Sequence, residues 1–196
     1  MNCSSCANVD LVTSQDIKAM LLAHDHSDLD ELLAEFFRAL AASDVAQSFD
    51  KLDLFWARLA VHIRAEHLHL FPALLHALQS LGQTKKAPSR APSLEAAQST
   101  ILRLRRDHDF FMTELGCAIR SLRQLRESTN QDNSSLVQHV REKIVAVSER
   151  LKLHNELEES DVYPLVELLL TPAECVVLNG KMQKELSNVP ARFSEQ

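Results

Sequence analysis

At 196 residues and 22.1 kDa the chain is long enough to bury a proper core as one domain. Three Gly, one Trp and one Tyr, set among many Ala, Leu, Glu, Gln and Arg, argue against an all-β or turn-rich fold. A formal net charge of -6 offers no basic footprint for nucleic acid, and no apolar run approaches the ~20 residues that span a bilayer. With no charged-then-apolar leader either, a cytoplasmic protein with no membrane or nucleic-acid partner is expected.

In chain order, residues 1–13 read as a flexible tail carrying Cys3 and Cys6. A single CxxC without a second pair is a weak metal or redox signal, and with Cys117 and Cys175 it makes no secreted disulfide framework. The first helical stretch runs from about Ser14, a plausible cap, to Ala42, with Leu22, His26, Leu29, Leu33, Phe36 and Leu40 on one face. The second, about Ser48 to Leu81, carries Leu52, Phe55, Leu59, His62, Glu66, His69 and Ala73. Gly82 to Ser93 then forms a connecting loop that no helix crosses.

The third stretch, about Leu94 to Arg126, aligns Ile101, Leu104, His108, Phe111, Leu115 and Leu122. After a polar turn the fourth, about Leu136 to Leu170, aligns Val140, Ile144, Val147, Leu151, His154, Glu158, Val162 and Leu165. Thr171-Pro172-Ala173-Glu174 is a capping box with Pro at the first helical position. It predicts a short C-terminal helix to about Leu186 and a frayed tail, so that 171–196 stand apart from 14–170. Long helices joined by short loops suit an all-α, antiparallel up-down-up-down four-helix bundle with this extra C-terminal helix.

One pattern occurs twice. His62-Ile-Arg-Ala-Glu66 is followed by Phe71-Pro72, and His154-Asn-Glu-Leu-Glu158 by Tyr163-Pro164, each a His-x3-Glu-x4-aromatic-Pro. Upstream of each lies an Asp-His pair, Asp25-His26 and Asp107-His108. Counted from the loops at ~1.5 Å per residue, His26, His62, Glu66, His108, His154 and Glu158 reach one level of the bundle, all on apolar stripes. His and Glu four apart project from one face of a helix, so they can share a metal ion or, with the Glu bridging, serve two. Imidazole with carboxylate suits iron, manganese or zinc, and a dinuclear N/O site in a helical bundle points first to iron.

Taken singly, a His on an apolar stripe is ordinarily a satisfied core residue. Two buried carboxylates with only imidazoles beside them, and no Lys or Arg on those stripes, are another matter, because a buried charge is costly unless paired or bound to metal. His69 and Asp161 hold matching places one turn beyond the motif glutamates, as orienting groups, alternative ligands or polar caps on the core edge. Glu159 could replace or supplement Glu158. Asp25 and Asp107 read as solvated, and His24, His67, His76 and His139 as surface or boundary residues. The Phe-Pro and Tyr-Pro steps are expected to kink or tighten their helices beyond the site. Leu29, Leu104, Phe111 and Met112 would line an apolar pocket beside an open coordination position.

The doubled motif resembles the hemerythrin-like HHE cation-binding family over about residues 14 to 170. That resemblance implies a four-helix bundle with a non-haem centre of two iron ions, for which Mn or Zn could substitute. It implies His26, His62, Glu66, His108, His154 and Glu158 as ligands, with the two Glu bridging. Oxygen-carrying hemerythrins differ: they have His-x3-His on the third helix, where this chain has Leu104 and Met112 around His108, and His-x4-Asp on the fourth, where it has Glu158 and Glu159. Six protein ligands in place of seven leave an additional open position, which favours oxidation over clean oxygen release.

The expected function is therefore a metal and small-ligand binding protein that binds or senses O2 or NO, or handles iron under redox stress, with no dedicated catalytic residue. An enzyme-like peroxide- or NO-consuming or iron-centre repair protein is the alternative. The N-terminal tail is too short for the cysteine domain of the repair proteins. A metal-free regulatory bundle is the second alternative.

Overall fold

The computed structural model describes residues 23–84, 88–127 and 133–193, and every regular element among them is helical. In chain order these are α1 (Ala23–Ala41), α2 (Val45–Ala65), a π turn (Glu66–Leu70), α3 (Phe71–Thr84), α4 (Leu94–Glu127) and α5 (Ser134–Leu157). A second π turn (Glu158–Val162), α6 (Tyr163–Leu169), α7 (Pro172–Leu186) and a 3-10 turn (Ala191–Phe193) follow. The expected tail with Cys3 and Cys6, the Ser14 cap and Leu22 lie outside the described residues.

Local chemistry explains where the helices begin and end. Beyond α1 the backbone turns left-handed at Ser43 (φ 59°), and the amides of Ser43 and Asp44 bond back to the carbonyls of Leu40 and Ala39. That pair of bonds is a Schellman ending, normally built on Gly. Asp44 then caps α2, its Oδ1 accepting from the Gln47 amide at 2.9 Å. The capping box forms at α7: Thr171 Oγ1 accepts from the Glu174 amide, and Glu174 Oε2 accepts from the Thr171 amide at 2.8 Å.

The two π turns correct the expectation of a proline kink past the site. Each widening begins at the motif glutamate itself: Phe71 N–H bonds to Glu66 O, and Tyr163 N–H to Glu158 O. Pro72 and Pro164 follow directly. Proline has no N–H, and in an α register its ring collides with the carbonyl four residues back, so the strain is absorbed by one wider turn. The extra residue shifts the buried stripe by one place. Leu74 and Val166 are buried where the unbroken period pointed to Ala73 and Leu165, which are only half-buried.

α1 packs on α2, α2 on α4, α4 on α5 and α5 on α1, while α7 lies against α2 and the first π turn. Glu35 pairs with Lys51 at 2.6 Å, and ten residues nearer the chain start Asp25 meets both Arg58 and His62, so rising numbers on α1 face falling numbers back along α2. Arg64 pairs with Glu185, and Arg192 with Asp53 at 3.1 Å, tying the C-terminal segment to α2. Two apolar clusters form. One holds Leu33, Phe36, Phe55, Leu59, Phe111, Leu115, Ile144 and Leu151, and the other Leu70, Phe71, Leu74, Leu104, Val162, Val166 and Met182. Among the described residues no helix is long and apolar enough to cross a membrane.

Candidate metal centre

Where the two clusters meet, the interior is polar. His26, His62, Glu66, His108, His154 and Glu158 are all buried there, the two glutamates completely (0% exposed). They are delivered by α1, α2, α4, α5 and the first residue of each π turn.

Each imidazole is held from behind. His62 donates from Nδ1 to Asp25 Oδ2 at 2.7 Å, and His154 from Nδ1 to Asp107 Oδ2 at 3.4 Å. His26 donates from Nδ1 to Glu159 Oε1 at 2.9 Å, and His108 from Nδ1 to His67 Nε2 at the same distance. With every Nδ1 occupied on the outside, all four Nε2 atoms turn inward, which fixes tautomer and ring orientation as metal-binding histidines require.

The carboxylates complete the geometry. Glu66 offers Oε1 to His62 Nε2 (3.5 Å) and Oε2 to His108 Nε2 (3.3 Å). Glu158 offers Oε1 to His154 Nε2 (3.1 Å) and Oε2 to His26 Nε2 (3.5 Å). Each glutamate thus spans two different imidazoles with its two oxygens. Neighbouring ligand atoms on one ion at ~2.1 Å bonds lie roughly 3 Å apart, which is the scale of these contacts. Ligand atoms gather into two groups that share Glu158, one of Glu66, His108, His154 and Glu158 and one of His26, His62 and Glu158. Among the described residues, Glu66 Oε1, Glu66 Oε2 and Glu158 Oε1 have no hydrogen-bond partner. Buried carboxylate oxygens are rarely left so, and a cation between them and the Nε2 atoms would satisfy all three.

Electrostatics follow from burial and charge. Desolvation pushes the Glu66 carboxyl up, but the His62 and His108 imidazoles outweigh it and hold it well below its ordinary value. Burial likewise opposes a charge on His62 and His154, yet Glu66 and Asp25 raise the first well above normal, and Glu158 with Glu66 and Asp107 raises the second. Asp25 is lowered against its own desolvation by His62 and Arg58. His67 is lowered by desolvation and by the neighbouring His108 and Arg105, which keeps it neutral and able to accept from His108. Burial and Glu158 raise the Tyr163 phenol well above its usual range.

Sequence reasoning missed several members. Asp25 and Asp107 are not solvated neighbours: each seats the histidine of the following helix, and each is clamped by an arginine, Asp25 by Arg58 at 3.1 Å and Asp107 by Arg150 at 2.7 Å. The signal was present, because Arg58 and Arg150 both lie four residues before the motif His, making the repeat Arg-x3-His-x3-Glu. His67, read as a surface or boundary residue, is half-buried, and what the reading did not give it is its place behind His108. Tyr163 is buried with its hydroxyl 3.2 Å from both Glu158 Oε2 and His26 Nε2.

Of the remaining candidates, Glu159 is 52% exposed by side chain and reaches His26 from outside. Asp161 is exposed and accepts from the Ser160 hydroxyl at 2.8 Å. The π turn rotates His69 off the stripe into a groove of about 660 Å³ between α3 and α7, beside His76, Glu174 and Lys181. Leu29, Leu104 and Phe111 are buried and Met112 half-buried, and the Phe111 ring stands edge-on to His154 at 5.3 Å. His76 and His139 are exposed.

Over residues 18–166 the sequence matches the family model described as Hemerythrin HHE cation binding domain. No curated protein and no solved structure matches it.

Proposed function

The chain belongs to the hemerythrin HHE cation-binding domain family, and from that premise we propose that it holds two iron ions and binds or senses a diatomic ligand, O2 or NO. The ligands are His26, His62, Glu66, His108, His154 and Glu158 within an antiparallel four-helix bundle. One observation carries the reading: two buried glutamates each divide their oxygens between two imidazoles, and three of those four oxygens have no hydrogen-bond partner among the described residues. A site for one ion needs no such division. The bundle reading is supported by the ring of packed helices and by the opposed numbering of pairs along α1 and α2.

The all-N/O donor set suits iron, with manganese or zinc as substitutes. Bound there, a pair of irons supplies a redox couple and coordination positions open to a small molecule. What this chain supplies is position and dryness. Asp25, Asp107, Glu159 and His67 hold the four rings, and Arg58 and Arg150 hold the two aspartates. Phe111 sets apolar surface edge-on against His154, and Leu29 and Leu104 are buried in the two flanking apolar clusters, so the surroundings of the centre are dry.

Loading the purified protein with ferrous iron under argon, with elemental analysis and absorption spectra before and after O2 or NO, tests the proposal. Two irons per chain and a spectrum changed by either gas are expected. A chain that takes up no transition metal contradicts it. Catalytic consumption of peroxide or NO would move the protein to the redox-enzyme reading.

A further inference from the structure

The two halves of the centre are not equivalent. Phe71 and Tyr163 hold matching places in the repeat, each five residues after the motif glutamate and each stacked on a histidine. Phe71 lies on His108 at 6.2 Å and Tyr163 on His26 at 5.9 Å. Only one of them carries an oxygen. The Tyr163 Oη is 3.2 Å from Glu158 Oε2 and 3.2 Å from His26 Nε2, two atoms that face the same ion position. That is the spacing expected of a third ligand on one ion rather than of a residue behind the ligands.

We propose that Tyr163 is a seventh protein ligand, its phenolate oxygen completing the ion held by His26, His62 and the two carboxylates. The inference rests on the two-ion reading above. An ion with His26, His62, one oxygen of Glu66 and one of Glu158 has room for further donors, and the buried hydroxyl already occupies that side. Once His26 Nε2 gives its lone pair to the metal, it can no longer accept from the phenol, so the hydroxyl loses one of its two partners. Ligation replaces it. A bound cation inverts the local preference for the protonated form, as it does for water and thiols. As the Fe(III)–O bond forms, the phenol O–H breaks and one proton per chain leaves to solvent, with no electron transferred. The ion on His108 and His154 has Phe71 in the matching place and keeps that position open for a small ligand.

The chain contains one tyrosine, so any tyrosinate signal belongs to Tyr163. Wild type and Tyr163→Phe are loaded anaerobically with ferrous iron, oxidised with ferricyanide, desalted, and measured by visible absorption, resonance Raman and iron analysis. The wild type should show a visible phenolate-to-iron(III) charge-transfer band with enhanced tyrosinate ring modes. Tyr163→Phe should keep both irons and lose band and modes together. A wild type with two irons and no tyrosinate modes overturns the ligand role while leaving the two-ion centre standing. A wild type that takes up no iron sinks both. If the variant does not fold, the wild-type Raman spectrum decides alone, because no other residue can produce those modes.

Discussion

Removing Asp25 should weaken metal binding more than removing Asp107, although the two occupy equivalent places in the repeat. His62 Nδ1 lies 2.7 Å from Asp25, whereas His154 Nδ1 lies 3.4 Å from Asp107, whose other oxygen is taken by Arg150 at 2.7 Å. Groups that orient metal-binding histidines are typically worth 10- to 100-fold in affinity, or about 1.4 to 2.8 kcal/mol. Asp25→Ala should fall well inside that range and Asp107→Ala at or below its lower end. The arginines do not blur the comparison greatly: Arg58 keeps Asp28 at 2.9 Å, and Arg150 keeps its seat over the Phe110 ring at 4.5 Å. Each variant is titrated anaerobically with iron(II) against a competing chelator, and its melting temperature is compared with and without metal. Since a tenfold loss removes about 1.4 kcal/mol of metal-linked stability, and a chain of this size moves about 2 to 4 °C per kcal/mol, the metal-induced rise should shrink by about 3 to 6 °C for each factor of ten. Equal losses, or a larger loss for Asp107→Ala, would refute the claim that these aspartates act through the histidine rings.

The raised His62 and His154 stabilise the metal-free fold while protonated, fully below about 6.5, and that contribution is lost as pH rises through their higher folded values. The lowered Glu66 and Asp25 add stability above about 4, lost on acidification. Metal needs neutral imidazoles, so the metal-induced rise in melting temperature should be larger at pH 8 than at pH 6, as calorimetry at the two pH values will read. Glu66→Gln keeps the shape and loses the charge, so elemental analysis of the folded variant should give fewer than two metals per chain. Ser43→Gly should raise stability by about 1 kcal/mol by relieving the left-handed backbone at φ 59°, a gain measurable by urea unfolding. Thr171→Ala breaks the capping box of α7 and should cost about 1 kcal/mol in the same assay.

The helical stretches and the six inward-facing site residues were legible because they obey simple periods. His26, Leu29, Leu33 and Phe36 repeat at three and four, and the count from the loops brings both motifs to one level. What escaped depended on departures from that period or on partners across helices. The two π turns add one residue each, so His69 left the stripe and Leu74 replaced Ala73 in the core. His67 and Tyr163 acquire their roles from histidines on other helices, which no single-helix pattern displays, whereas Glu159 was among the candidates and only its partner His26 was not. Arg58 and Arg150 could have been found, since their spacing repeats with the motif, but arginine four residues before an inward histidine also reads as a solvated edge.

The most direct test of the paired-ion claim is anomalous X-ray scattering from crystals of the iron-loaded protein. Two peaks a few ångströms apart should appear, one among His26, His62, Glu66 and Glu158, the other among His108, His154 and the same two glutamates. A single peak, or iron bound away from Glu66 and Glu158, would contradict it.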